Sequence, residues 1–447
     1  MQRKPQTPSP MTRRDFVRAS TAATAAFAVA APAVIAAARP SAAKELRVGL
    51  VGCGGRGTGA AVNALRADPD VVLWAVGDLF AERHDGCLQA IEGEMRTMDE
   101  EGGGGDRNLR RVQVDAARRF DGFDNYQKVI DNCDVVLLCT PPVFRPEHYV
   151  AAIKAGKHVF CEKPVSVDAP GVRAVIEASR QASEKGLTVV SGFCWRYSDR
   201  ERETYQRIHD GAIGPLRAVY TTYNTTGWVA PRVKRPEWSD IEWQIRDWHY
   251  FYPMSGDHIV EQAVHSIDKI HWAFNGRAPQ RCVAVGGRAA RPNVPETGNV
   301  YDHFSITWDY DDGAKAFHMC RHYPNCPSDN SDYLLGEKGT CTVNGWTDTH
   351  VITGENAWTC TAPRNDMYQQ EHDEMFAAIR AGKPINNGQR MAESTLLAIM
   401  ARMAAYTGQV VTWEQAMSSQ ESLLPPRWEW TSHEMPRLAV PGTTKVV

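Results

Sequence analysis

No apolar run beyond residue 40 of this chain approaches the ~20 residues that a bilayer-spanning helix needs, which excludes an integral membrane protein once any leader is set aside. Fifty basic and 53 acidic residues leave a formal charge of −3, too little of either sign to mark a nucleic-acid surface or an acidic tail. The 11 cysteines include no CxxC pair, so no metal site is expected. Most of them fall in apolar runs such as CDVVLLC, as buried thiols do, although Cys320 and Cys326 could pair in an oxidising compartment. No internal repeat is visible.

What is present is enough for more than one core. At 447 residues, 43% of them hydrophobic, the chain calls for two domains once a leader is removed. Arg3, Lys4, Arg13, Arg14 and Arg18 precede the moderately apolar TAATAAFAVAAPAVIAAA, and a small-residue site ends at Ala43. Residues 1–43 therefore read as a signal peptide. The paired arginines before Asp15, Phe16 and Val17 resemble the twin-arginine motif, which implies export of an already folded protein to the periplasm or beyond.

Next comes LRVGLVGCGGRGTGAAVNAL, a β-branched strand, a glycine turn and a helix-compatible stretch, with Gly52, Gly54 and Gly57 spaced as GxGxxG. Glycine there lets the backbone approach a pyrophosphate, which then rests on a helix amino terminus. A second strand, VVLWAVGD, ends in Asp78, where an acid can accept hydrogen bonds from ribose hydroxyls and repel a 2′-phosphate. NAD is favoured on that ground; Arg56 and Arg83 leave NADP open. From Glu82 to Asp124 the chain is charged and carries Gly102–Gly105, which no strand or helix would use, and it reads as a surface insertion. Strand, helix and strand follow in CDVVLLCTPPVFRPEHYVAAIKAGKHVFCEKP, the pattern of a doubly wound parallel sheet.

CTPPVFRPEH followed by AGKHVFCEKP resembles the signature of the glucose-fructose oxidoreductase, inositol dehydrogenase and rhizopine catabolism family (Gfo/Idh/MocA). The resemblance implies a Rossmann domain over residues 44–165. It also implies an α+β domain with a large, mainly antiparallel sheet over 166–383, used for substrate and homo-oligomer contacts, and a carboxy-terminal helix and tail over 384–447 that return to the first domain. It further implies an NAD-dependent oxidoreductase acting on a small carbohydrate or cyclitol, assembled as a dimer or tetramer. The cofactor set carried over comprises Gly52, Gly54, Gly55, Arg56, Gly57, Asp78, Thr140, Pro141, His148, Glu162 and Lys163. Pro142 stands where the family usually has asparagine.

In SGDHIVEQAVHSIDKIHW, His258, Glu261, Gln262 and His265 fall on one stripe at 100° per residue, opposite Ile259, Val260, Ala263, Val264 and Ile267. The family's helix presents an acid and, four residues later, a histidine to the substrate; here these are Glu261 and His265, followed by Asp268. Lys163, His265 and Glu261 are the catalytic set. Trp228 to Tyr252 holds four tryptophans and three other aromatics, which either stack on sugar C–H faces or pack a core or interface. The substrate set is Arg196, Trp228, Arg246, Trp248, His258, Gln262 and Asp268. Oxidation needs a base for the hydroxyl proton while hydride leaves carbon, and a neutral histidine suits that task. Two alternatives stay open: a redox-neutral glycosidase or lyase working through a transient keto-sugar, and a noncatalytic exported sugar-binding protein. Whatever the reaction, an exported enzyme has no free NAD pool to exchange with, so a tightly held, internally recycled cofactor is expected.

Overall fold

The computed structural model describes residues 45–228 and 230–445; the expected leader at 1–43 lies outside them. Two sheets organise these residues. The first is parallel, built from β1 (Leu46–Val51), β2 (Val71–Gly77), β3 (Arg119–Phe120), β4 (Val135–Leu138), β5 (His158–Cys161) and β6 (Val189–Ser191) in the order 3-2-1-4-5-6. Almost every residue of its central strands is buried, as sheets covered by helices on both faces require. Because β1 lies between β2 and β4, the strand order reverses at β1, which opens a crevice at the carboxyl ends of β1 and β4. The sixth strand extends this layer beyond the boundary expected at residue 165: Val159, Phe160 and Cys161 pair with Val189, Val190 and Ser191.

The charged stretch from Glu82 departs from expectation. Helix α2 (Arg83–Glu101) follows α1 (Gly55–Ala67) in the fold and buries Cys87, Leu88, Ile91 and Met95 in the same core as α1. The glycine run after Glu101 is a turn, and two short 3-10 helices, Leu109–Arg111 and Ala116–Arg118, lead from it into β3. Gly86 and Gly93 and a high charge content had hidden a helical period that tertiary packing enforces.

The second sheet has nine strands: β7 (Leu216–Thr225), β8 (Arg281–Gly287), β9 (His303–Asp309), β10 (Lys315–His322), β11 (Ser331–Gly336), β12 (Gly339–Asn344), β13 (Thr349–Gly354), β14 (Trp358–Thr359) and β15 (Val411–Thr412). The sheet is mainly antiparallel, as expected, with β10 and β7 forming the parallel pair. Alternation along β9 and β10 buries one face, while Val283, Val285, Met319, Tyr333 and Leu335 stand exposed. All 11 cysteines are free thiols, so Cys320 and Cys326 are not bridged.

Candidate functional site

The switch-point crevice is a cleft of about 570 Å³. Glycine chemistry shapes its floor. Gly52 adopts φ +101°, and a Cβ there would lie 2.7 Å from the Cys139 carbonyl carbon at the end of β4. At Gly57 a Cβ would come within 1.9 Å of the Gly52 oxygen, so α1 can start this close to β1 only without a side chain. Gly54 and Gly55 meet nothing within 4 Å, which leaves the amino terminus of α1 open toward the cleft. A pyrophosphate fits that cradle, and the fixed donors of the helix terminus supply its hydrogen bonds.

Asp78 is 8% exposed and lines the same cleft. One carboxylate oxygen accepts from the Cys53 N–H at 2.8 Å and the other from the Phe80 N–H at 3.0 Å, so the glycine turn itself aims the acid. Arg83 Nε lies 3.8 Å away. Asp78→Ala should lower NAD affinity about tenfold or more, since lost charge-assisted hydrogen bonds cost about 1.5–3 kcal/mol, and should weaken NADP less. Titration calorimetry with both dinucleotides checks this; an unchanged NAD affinity removes Asp78 from the site.

Thr140, Pro141, His148, Glu162 and Lys163 line the cleft as well. Burial, aided by Arg145, pushes His148 down to about 3, so it is a neutral ring, stacked 4.0 Å from Tyr126. Arg56 bonds Glu162 and, at 2.8 Å, Glu371 on α10 (Met367–Ala381), which packs on α1. Burial holds the Glu371 carboxyl well above its usual range despite Arg56. The resulting arginine with two carboxylates ties the glycine turn, the EKP segment and a late helix together.

Lys163 and Glu261 meet at the far wall. Lys163 Nζ donates to the Glu261 carbonyl at 2.6 Å and lies 3.5 Å from its carboxylate. Burial works to raise the Glu261 carboxyl, but Lys163, His249 and Arg145 outweigh it and hold the group below its ordinary value. His265 borders the same space; burial first, then Lys163, push it well below 6.5. Its Nδ1 is buried without a hydrogen-bond partner, which leaves Nε2 for the cleft.

The stripe expected from His258 to His265 is not one continuous helix. It breaks between α8 (His258–Glu261) and α9 (Val264–Ala273), and His258 is fully buried 4.3 Å from His322. Glu261, Gln262 and His265 reach the cleft; His258 does not. Arg196 and Asp268 also sit behind the wall as a buried pair with contacts of 2.8 and 2.9 Å, joined by Ser394 at 2.7 Å, and they anchor α9. Trp228 packs between His322 and Tyr250 instead of lining the cleft. Arg246 and Trp248 do line it. Sequence reasoning missed Asp247, His249, Tyr223 and Tyr368 on this wall, none of which belongs to a recognisable motif.

The aromatic segment has a mixed outcome. α7 (Asp240–Arg246) caps the dinucleotide end: Arg246 lies 3.7 Å over the Phe80 ring and 2.8 Å from Glu82. The tail joins it there, with Trp428 on Phe144 at 4.4 Å and Trp430 on Phe123 at 4.7 Å.

Family models match both layers. Residues 46–193 match the model described as oxidoreductase family, NAD-binding Rossmann fold, and residues 202–342 match the GFO/IDH/MocA C-terminal domain. The chain belongs to this family. Among curated relatives it is similar to 2,7-anhydro-N-acetylneuraminate hydratase of Escherichia coli (strain K12), 26% identical over 42% of this chain and 48% of that one. It is also similar to inositol 2-dehydrogenase of Rhizobium meliloti (strain 1021), 22% identical over 74% and 86%. The matches span about half or less of the first curated relatives' length. The fold is shared with levoglucosan dehydrogenase in complex with NADH and levoglucosan, at TM-score 0.62 and 18% identity over 82% of this chain and 99% of that one. Aldose-aldose oxidoreductase from Caulobacter crescentus shares it at 0.59 and 19%, over 83% and 100%.

Proposed function

We propose that the protein is an NAD-dependent oxidoreductase that oxidises a secondary hydroxyl of a sugar or cyclitol. The observation that carries this is the meeting of Lys163, Glu261 and His265 at the end of a cleft whose other end is a glycine cradle and Asp78. The relatives named for inositol and levoglucosan support the substrate class. NAD, held by the cradle and Asp78, would supply the hydride acceptor. Lys163 has three N–H donors. One is spent on the Glu261 carbonyl and a second leans toward its carboxylate, which leaves donor capacity for the substrate oxygen. That contact orients the hydroxyl and steadies negative charge as it develops. His265, neutral because of its burial, takes the hydroxyl proton at Nε2. The test is absorbance of enzyme-bound NADH, read at stoichiometric protein concentration with myo-inositol, D-glucose or levoglucosan supplied singly so that no second sugar takes the hydride back. No bound NADH with any member of a broad polyol panel overturns the reading.

Export by the twin-arginine route is part of the proposal, supported by Arg13, Arg14 and the alanine-rich segment after them. Cell fractionation tests it, and cytoplasmic retention of the intact leader overturns it. A cofactor that leaves the cytoplasm bound must be reoxidised in place, so the carbonyl carbon of a second sugar entering the same cleft would accept the hydride, its oxygen taking up the proton released in the first half-reaction. The cap of α7, Trp428 and Trp430 supports slow release. Turnover on mixed sugars after desalting, without added NAD, is the expected result. The exposed Val283, Val285, Tyr333 and Leu335 support a homo-oligomer through the second sheet, which light scattering would detect as twice or four times the chain mass.

A further inference from the structure

Asp247 follows α7 and lines the catalytic cleft, yet no step above uses it. It is 5% exposed, and the charge of a carboxylate buried this far must be met by donors. Among the described residues its side chain receives one hydrogen bond, from the Arg232 backbone N–H at 3.0 Å, and it forms no ion pair. Its neighbours in the cleft are Trp248 and His249, whose rings stack at 3.7 Å. His249 lies within the field of both Glu261 and Lys163, which puts the segment just after Asp247 beside the reacting groups.

An acid short of donors next to an indole face is what a polyol satisfies, because hydroxyls donate to the carboxylate while C–H groups cover the ring. We propose that Asp247 is a specificity-determining residue that accepts hydrogen bonds from one or two non-reacting hydroxyls of the substrate, with Trp248 beneath the ring. The inference rests on the oxidoreductase reading for its substrate class. Burial, only partly offset by Arg232, raises the Asp247 carboxyl to about 6, as expected of a carboxylate awaiting donors. The charged and titratable groups around it are Arg232 on the preceding loop, Arg246 and His249 beside it in the chain, and Tyr250, whose hydroxyl is raised by burial. Burial holds His249 below its ordinary value.

Hydroxyl donors favour the ionised acid, so binding should release protons near pH 6, and affinity should fall as pH drops through that value. The probes are myo-inositol and D-glucose, titrated by calorimetry into the NADH-loaded protein, which cannot oxidise them and release a proton by turnover, at pH 5 and pH 8 in two buffers of different ionisation enthalpy. Wild type should bind one of them more tightly at pH 8, with proton release at the acid end. Asp247→Asn keeps an acceptor for the Arg232 N–H, so the cap stays in place. It should bind about tenfold more weakly at pH 8, lose the proton release and keep its NAD affinity. Equal polyol affinity in wild type and Asp247→Asn, or no binding of either polyol to wild type, overturns the proposal. NADH formation from the same polyol is read separately: binding without hydride transfer counts against the oxidoreductase reading and leaves the subsite standing.

Discussion

Lys163→Met should lower turnover by about a hundredfold or more while leaving NAD affinity within a factor of about three, the loss typical when a positioned proton-handling or oxyanion-stabilising group is removed. The geometry explains the division. Lys163 Nζ points across the cleft to the Glu261 carbonyl at 2.6 Å, whereas the cofactor cradle is formed by Gly54, Gly55 and Asp78. Methionine keeps the length and apolar stem of the side chain and removes its charge and donors, so packing against the wall survives. Glu261 would then lose the cation that most strongly holds its carboxyl down and, with burial unopposed on that side, should take up a proton at higher pH. Steady-state kinetics and dinucleotide titration on the same preparation check the prediction. Near-normal turnover would remove Lys163 from the chemistry; loss of NAD binding would assign it to the cofactor.

The Rossmann layer was legible because its determinants are local. A glycine turn, a strand-terminal acid and the TPP and EKP segments each occupy a few consecutive residues whose chemistry follows from their own backbone. The helix at Arg83–Glu101 was hidden because its apolar residues, Cys87, Leu88, Ile91 and Met95, are few against its charges and glycines, and only the neighbouring α1 gives them something to cover. Glu371 was invisible for a related reason. It stands 315 residues from Arg56, and nothing around it in the sequence says that α10 will lie on α1. His258 was assigned to the polar stripe by counting through a helix that the chain interrupts after Glu261, a break that periodicity alone does not reveal. Asp268 and Arg196 illustrate the opposite limit: both were noticed, but a charged residue near a site can as easily hold an element in place as face a ligand, and their bidentate burial shows which they do. The aromatic segment carried two outcomes in one run of residues, because Trp243 hydrogen-bonds the Arg232 carbonyl at 2.9 Å inside the cap while Trp248 borders the cleft.

His265→Ala should reduce turnover by about a hundredfold or more and flatten the acid limb of the pH profile. A general base works only when unprotonated, so activity is full above its pKa and declines as pH falls through it. An ordinary histidine would place that decline near 6.5. Here burial disfavours the charged ring and Lys163 adds repulsion, and these outweigh the attraction of Asp268, so the decline belongs well below pH 6.5. A cationic nicotinamide in the cleft would act in the same direction as Lys163. The wild-type profile of kcat/KM for sugar oxidation should therefore stay flat from pH 8 to about 6.5 in any range where the substrate subsite is ionised, with the histidine limb at lower pH. Lys163→Met should move that limb upward, because it removes the second-largest cause of the depression while the burial remains. His265→Gln is the control for packing: it fills the space, carries no titratable proton and should be as slow as the alanine variant. Near-normal turnover retained by His265→Ala, with an acid limb no higher than the ordinary carboxylate range, would transfer the role of base to Glu261, whose carboxyl is held low by Lys163 and lies 3.5 Å from its Nζ on the same wall.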